Sequence, residues 1–97
     1  MVKYESEEVR RSVLEREGYR CFLCKKRGVQ IHEIIPRSAG RRKFIYSEKN
    51  RVCLCPECHA KAHTRTERTK TLKMLIDKYK YSYDESEMIL IRRYTDA

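Results

Sequence analysis

A small α+β fold, with a two-stranded antiparallel sheet flanked by helices, is what the sequence predicts, on three observations. Two short runs have strand composition, longer runs repeat apolar residues at helical spacing, and two C-x-x-C pairs, Cys21/Cys24 and Cys55/Cys58, lie beside the strand runs. The chain has 97 residues, which is enough for one domain, and we read 1–97 as one. A fold of this size buries only about two-thirds of the surface its unfolded chain exposes. A mean hydropathy of −0.81 leaves little apolar material for a core. Something besides the core must hold such a chain together.

The elements follow in order. Ser6 ahead of Glu7 and Glu8, then Val9, Val13 and Leu14 at helical spacing and Gly18 after them, predict a capped helix over 7–17. Residues 19–27 hold the first C-x-x-C turn. The run 29–35 reads as a strand ended by Pro36, and 36–40 as loop. Residues 51–54 alternate like a short strand and deliver Cys55 to the second turn, so the two strands are expected to pair. From His59 to Tyr79, Leu72, Leu75, Ile76 and Tyr79 keep helical spacing without Pro or Gly, which predicts one continuous helix. Asp84 is placed to cap a last helix over 85–94. The motif-bearing core spans about 19–64, with a helical extension over 65–95.

Charge and composition exclude some classes of function. No apolar run approaches the roughly 20 residues of a membrane span, and the first residues lack a secretory h-region, so a cytoplasmic protein with reduced thiols is expected. The net charge of +9 is local: 37–51 carries six basic residues against Glu48, and 59–73 five against Glu67. Both ends are close to neutral. The two basic stretches bracket the second cysteine pair and would concentrate positive potential at one place, as a polyanion site requires.

Two C-x-x-C turns point two sulfurs each at one centre, which is the donor set of a structural Zn²⁺ held by Cys21, Cys24, Cys55 and Cys58. Binding of order 10 kcal/mol would then supply what the thin core lacks. Cys53 is left over. All three histidines also remain: His32 on the first strand, and His59 and His63 four residues apart on one face of the expected helix. Three protein ligands leave a fourth position open, the mark of a catalytic rather than a structural ion. A mixed site of Cys21, Cys24, His59 and His63 ranks lower, because it strands Cys55 and Cys58.

Cys21-x-x-Cys24, then Ile31-His32-Glu33-Ile34-Ile35-Pro36-Arg37-Ser38, then Asn50-x-Val52-x-Leu54-Cys55-x-x-Cys58-His59-x-x-x-His63, resembles the zinc-ribbon branch of HNH endonucleases, particularly the short phage and prophage type. The resemblance covers roughly residues 7–64 and implies a ββα-metal core. It further implies that His32, His59 and His63 bind a divalent ion, Mg²⁺ or Mn²⁺ with Zn²⁺ an alternative, and that Asn50 fixes the loop and thereby the general base. Glu33 departs from the family, which most often has His there as the base. His32 as ligand with Glu33 as base or water-orienting group is favoured; the reverse assignment stays open.

The activity implied is metal-dependent hydrolysis of DNA phosphodiesters, by nicking if the chain acts as a monomer and with double-strand cuts if it is a homodimer, in a bacterial or phage-infected cell. Arg37, Arg41, Arg42, Lys43, Arg51, Lys61 and Arg65 are the expected phosphate contacts, positioning DNA without reading its sequence. Phe44 and Tyr46 are expected to anchor the loop. The alternatives are a catalytically silent zinc-ribbon DNA-binding module and a nuclease subunit that needs a partner.

Overall fold

The computed structural model describes residues 6–36 and 42–96. Helix α1, Glu7–Arg16, starts where Ser6 Oγ accepts from the Val9 amide at 3.0 Å, with Glu7 and Glu8 complementing the helix dipole. It ends as Gly18 (φ 65°) and Tyr19 (φ 59°) turn left-handed, the Tyr19 amide closing on Leu14 O at 2.9 Å.

Strands β1, Gln30–Glu33, and β2, Arg51–Leu54, pair antiparallel with Gln30 opposite Leu54, Ile31 opposite Cys53, His32 opposite Val52 and Glu33 opposite Arg51. Period-two alternation sorts these side chains. Ile31 and Cys53 pack under Val13 and Leu14 of α1. Val52 and Leu54 join the main core on the other face, and His32 shares that face. The first strand is shorter than the expected 29–35, because past Glu33 the chain turns onto Asn50: the Ile34 amide bonds Asn50 O and the Ile35 amide bonds Asn50 Oδ1.

A short helix α2, Arg42–Ile45, and a 3₁₀ turn, Glu48–Asn50, precede β2. Phe44 and Ile45 are buried beside Ile34 and Ile35. The Phe44 ring meets Tyr83 edge-on at 6.0 Å, so it anchors the segment from inside.

The single helix expected over 59–79 is in fact two. Helix α3, Pro56–Lys61, begins at the N-cap Cys55 with Pro at its first position. Helix α4, Arg65–Tyr79, restarts after 62–64, with Thr64 Oγ1 accepting from the Glu67 amide at 3.2 Å. A T-x-x-E sequence favours a new N-terminus there over continuation. Helix α5, Glu85–Asp96, has a reciprocal capping box: Asp84 Oδ1 accepts from the Glu87 amide at 2.8 Å, and Glu87 Oε1 from the Asp84 amide at 2.9 Å. Leu72 and Leu75 of α4 and Leu90 and Ile91 of α5 close the core.

One arginine ties the two ends of the chain to the sheet. Arg16 donates to Arg51 O (2.6 Å), Glu48 O (2.9 Å), Tyr81 Oη (3.1 Å) and Glu17 Oε2 (2.8 Å), with its guanidinium 4.7 Å from the Tyr79 ring centre. Among the described residues no helix is long and apolar enough to cross a membrane.

Candidate metal centres

The first C-x-x-C turn is held to β2 by the Phe22 amide on Cys53 O at 2.8 Å, and Lys25 takes a left-handed φ of 71° to close it. In each turn the amide of the second cysteine points at the sulfur of the first, Cys24 N to Cys21 Sγ at 3.5 Å and Cys58 N to Cys55 Sγ at 3.4 Å. Amides aimed at sulfur favour the thiolate. Gly28 lets the turns approach: a Cβ there would lie 2.8 Å from Leu54 C and 2.9 Å from Cys55 N.

The four sulfurs of Cys21, Cys24, Cys55 and Cys58 lie within 4.8 Å of one another, and Cys24 Sγ is 3.6 Å from Cys55 Sγ. A tetrahedron with Zn–S bonds of about 2.3 Å has edges of about 3.8 Å. The four cysteines can therefore hold a structural ion such as zinc. Their acidities are split: burial opposes ionisation of Cys21, but the Cys24 and Cys55 amides outweigh it and bring the thiol down to about 7. Burial and the surrounding thiols push Cys58 up to about 12. One thiolate forms easily and resists the next, a conflict that a divalent cation resolves. Cys53 stays outside, buried, its thiol raised to about 11 by burial and donating to Gly28 O.

The three histidines form a second cluster. Ring centres are 5.2 Å apart for His32 and His59, 5.2 Å for His32 and His63, and 5.1 Å for His59 and His63, with one nitrogen of each within 4.8 Å of the others. His32 comes from the sheet face of β1, His59 from α3, and His63 from the turn between α3 and α4, so the helix break does not disperse them. His32 is 2% exposed, and its Nε2 is buried without a hydrogen-bond partner. An orphaned buried nitrogen costs roughly 1–3 kcal/mol, and a metal ion at this cluster would satisfy it. Burial first, then the nearby Arg68 charge and the other two histidines, bring the His32 imidazolium down to about 3. Burial, His63 and Arg68 lower His59 in the same direction. Two imidazoles that resist protonation, those of His32 and His59, keep lone pairs for a cation. The set fits a divalent ion with nitrogen preference, such as Zn²⁺, Ni²⁺ or Co²⁺, better than the oxygen-seeking Mg²⁺.

Two neighbours of the cluster escaped the sequence reading. Gln30 Oε1 lies 2.8 Å from His59 Nδ1, so Nδ1 donates and the Nε2 lone pair is left for a ligand. Gln30 stands two residues before His32, and the shared strand face was a signal that could have found it. Arg68 donates to His63 O (3.0 Å), Glu33 O (2.8 Å), Ile34 O (2.6 Å) and His63 Nδ1 (3.1 Å). It bolts the end of β1 to the turn that carries His63, and a lone arginine in a basic helix gave no hint of this.

The remaining site expectations fall as follows. Glu33 stands on the opposite strand face from His32, outside the imidazole cluster, with Oε2 3.3 Å from Arg51 Nη2. Asn50 is fully buried and bonds the Ile35 amide (2.8 Å), Ile35 O (3.0 Å) and Ile45 O (3.0 Å). Arg51 is 5% exposed and paired with Glu33, a poor position for meeting DNA from solution. Arg65 is committed to the end of α5, donating to Arg93 O and Tyr94 O over the Tyr94 ring. Lys43 and Lys61 are exposed. Arg37 and Arg41 lie outside the described residues, as does the side chain of Arg42. The mixed Cys21, Cys24, His59 and His63 site does not form, since sulfurs and imidazoles gather separately.

No family model, no curated protein and no solved structure matches the chain.

Proposed function

We propose that this chain is a metal-dependent DNA endonuclease of the HNH type, with a structural zinc on the four cysteines and a catalytic divalent ion on His32, His59 and His63. The observation that carries the reading is a cluster of three imidazoles, one nitrogen of each within 4.8 Å of the others, in which His32 keeps a buried, partnerless Nε2, beside an antiparallel strand pair and a short helix. The motif resemblance and the +9 charge, concentrated around this region of the sequence, support DNA as the substrate.

A divalent ion held by His32, His59 and His63 would supply Lewis-acid polarisation of a phosphate oxygen and charge neutralisation there. The protein's part is positional. Gln30 sets the His59 tautomer, Asn50 pins the chain after Glu33 to α2, and Arg68 fixes β1 against the backbone carbonyl of His63. The attacking water forms the new P–O bond and gives up a proton, the bond to the 3′ oxygen breaks, and that oxygen is protonated from water, so that one water molecule is consumed for each bond cut. Exposed Lys43 and Lys61 offer backbone phosphate contacts.

The pairing of Glu33 with Arg51 across the strand favours a second reading, a zinc-ribbon DNA-binding module that does not cut. Plasmid nicking separates the two. The zinc-loaded chain is expected to nick with Mn²⁺ or Ni²⁺, and His63→Ala and His32→Ala are expected to lose nicking while circular dichroism stays that of the folded chain. Undiminished cutting by either variant refutes the imidazole site; DNA binding without cutting under every ion leaves the second reading. Glu33→Gln reports on the base, with rates equal to wild type removing it from that role.

A further inference from the structure

Arg68 has no carboxylate partner among the described residues. Four bonds hold its guanidinium and all four acceptors are neutral: three backbone carbonyls and His63 Nδ1. Its full positive charge therefore stands beside a cluster suited to a cation, an unfavourable arrangement until an anion joins them.

Hydrogen-bond chemistry makes the arrangement conditional. Arginine only donates, so His63 Nδ1 accepts. A neutral imidazole has one lone pair, and with Nδ1 accepting from Arg68 the proton of His63 is on Nε2 and nothing remains for an ion. Ligation by His63 requires Arg68 to let go. Either the ion takes Nδ1, or the proton moves to Nδ1 and the ion takes Nε2; in both cases Nδ1 stops accepting. Nη2 is then released with both N–H groups, while Nε and Nη1 stay anchored to His63 O, Glu33 O and Ile34 O. The freed edge cannot swing away.

Building on the nuclease reading, we propose that Arg68 is a catalytic residue: loading of the imidazole site exchanges its Nη2 from His63 to a non-bridging oxygen of the scissile phosphodiester, so that cation and phosphate bind cooperatively. Guanidinium recognises phosphate oxygens through charge-assisted hydrogen bonds. The contact strengthens as charge gathers on the phosphoryl oxygens in the transition state. Arg68 itself gains and loses no proton.

The test uses the full zinc-loaded chain and a fluorescent duplex with cleavage-resistant phosphorothioate links, followed by anisotropy with and without Ni²⁺. Wild type is expected to bind the duplex about 10-fold or more tighter with Ni²⁺, by the size of a charge-assisted hydrogen bond. Arg68→Ala and Arg68→Lys, each saturated with Ni²⁺, should lose most of that gain, since neither side chain presents a guanidinium edge to the phosphate oxygen. A merely structural role predicts weaker Ni²⁺ binding with the tightening on DNA kept once the site is saturated. Ni²⁺-dependent tightening that survives in either folded variant overturns the proposal. A measurement on wild type needs no variant: in ¹⁵N-labelled protein, Zn²⁺ added beyond the first equivalent should end the bond from Arg68 to His63 Nδ1, and its persistence with the ion bound overturns the proposal. The two readings fail separately. Wild type that nicks plasmid without ion-dependent tightening removes the Arg68 contact alone, whereas tightening without nicking removes the nuclease and keeps the phosphate contact.

Discussion

Asn50→Ala is expected to be among the most damaging single changes in this protein. The side chain is fully buried and makes three hydrogen bonds, all to backbone: one from the Ile35 amide and two to Ile35 O and Ile45 O. Alanine leaves one donor and two acceptors facing a small void with no partner. Each orphan costs about 1–3 kcal/mol, less where water enters, so a loss of about 3–5 kcal/mol is expected. A domain of this size has a total stability of about 5–15 kcal/mol, and each kcal/mol moves the midpoint by roughly 4–8 °C. Thermal unfolding at one fixed, saturating zinc concentration, which keeps linkage constant, should show Tm falling by more than about 12 °C. Asn50→Asp sharpens the test. It keeps the acceptor for the Ile35 amide but sets a carboxylate against two carbonyls. Burial and repulsion raise the folded pKa of the new carboxyl above its unfolded value of about 3.9. Its protonated form is therefore tolerated below that value, and stability is lost as pH rises through the folded pKa. Asn50→Ala within about 1 kcal/mol of wild type, or Asn50→Asp as stable as wild type at pH 7, would refute this account of how the segment after Glu33 is held.

Other changes follow from the same geometry. Gly28→Ala drives a methyl against the backbone of Leu54 and Cys55, where contacts of 2.8 and 2.9 Å await it; a loss of about 1–3 kcal/mol and faster zinc transfer to a colorimetric chelator are expected, and unchanged transfer would show the cysteine turns to be more yielding than argued. Arg16→Met breaks the anchor among α1, β2 and the tyrosines and leaves the Glu17 carboxylate, its side chain 2% exposed, with Lys78 at 3.7 Å as its cation among the described residues. About 3–5 kcal/mol is expected from urea unfolding, and a loss below 1 kcal/mol would mean that the tyrosines hold these segments without it. The folded-state pKa of His32, down at about 3, lies below the ordinary 6.5, so its contribution to stability is whole above about pH 6.5 and drains as pH falls toward 3. Urea midpoints measured from pH 7 to 5.5 should fall with a slope of up to about 1.4 kcal/mol per pH unit from this group, and His32→Gln should flatten the slope; identical slopes would place the titration elsewhere.

How legible each feature was depended on how far apart its determinants lie in the chain. C-x-x-C and H-x-x-x-H are local spacings, so the four cysteines and the pair His59 and His63 could be named from the sequence as candidate ligands, whereas His32 came in as the remaining histidine and through the motif resemblance; the strand pair followed from short runs of β-branched residues. The helix break was legible too: Thr64-x-x-Glu67 is a start signal, but counting apolar positions from Leu72 onward carried the helix across it. The Arg68 contacts that organise the histidine cluster were not legible. Arg68 reaches Glu33 O and Ile34 O, more than thirty residues earlier, and backbone carbonyls leave no trace in residue identity. Arg51 and Arg65 look like phosphate contacts for the opposite reason, since nothing in a basic run tells which cations turn inward.

The two clusters are not independent. Cys58 and His59 are consecutive on a six-residue helix whose N-cap is Cys55 and whose C-cap is Ala62, one residue before His63. A helix this short has little intrinsic stability, so its orientation rests on the sulfur cluster at its start and on the strand pairing that precedes it. Four thiolates around one ion give a closed site that exchanges slowly, whereas three imidazoles leave room for a ligand. An ion held by the four sulfurs would thus fix the helix that carries His59 and leads into His63, while the strand fixes His32 across from it. Removing metal from the cysteines would scatter the imidazoles even with every histidine present, so loss of function after chelation followed by Mn²⁺ alone speaks of the scaffold, and only the zinc-loaded chain reports on the histidines.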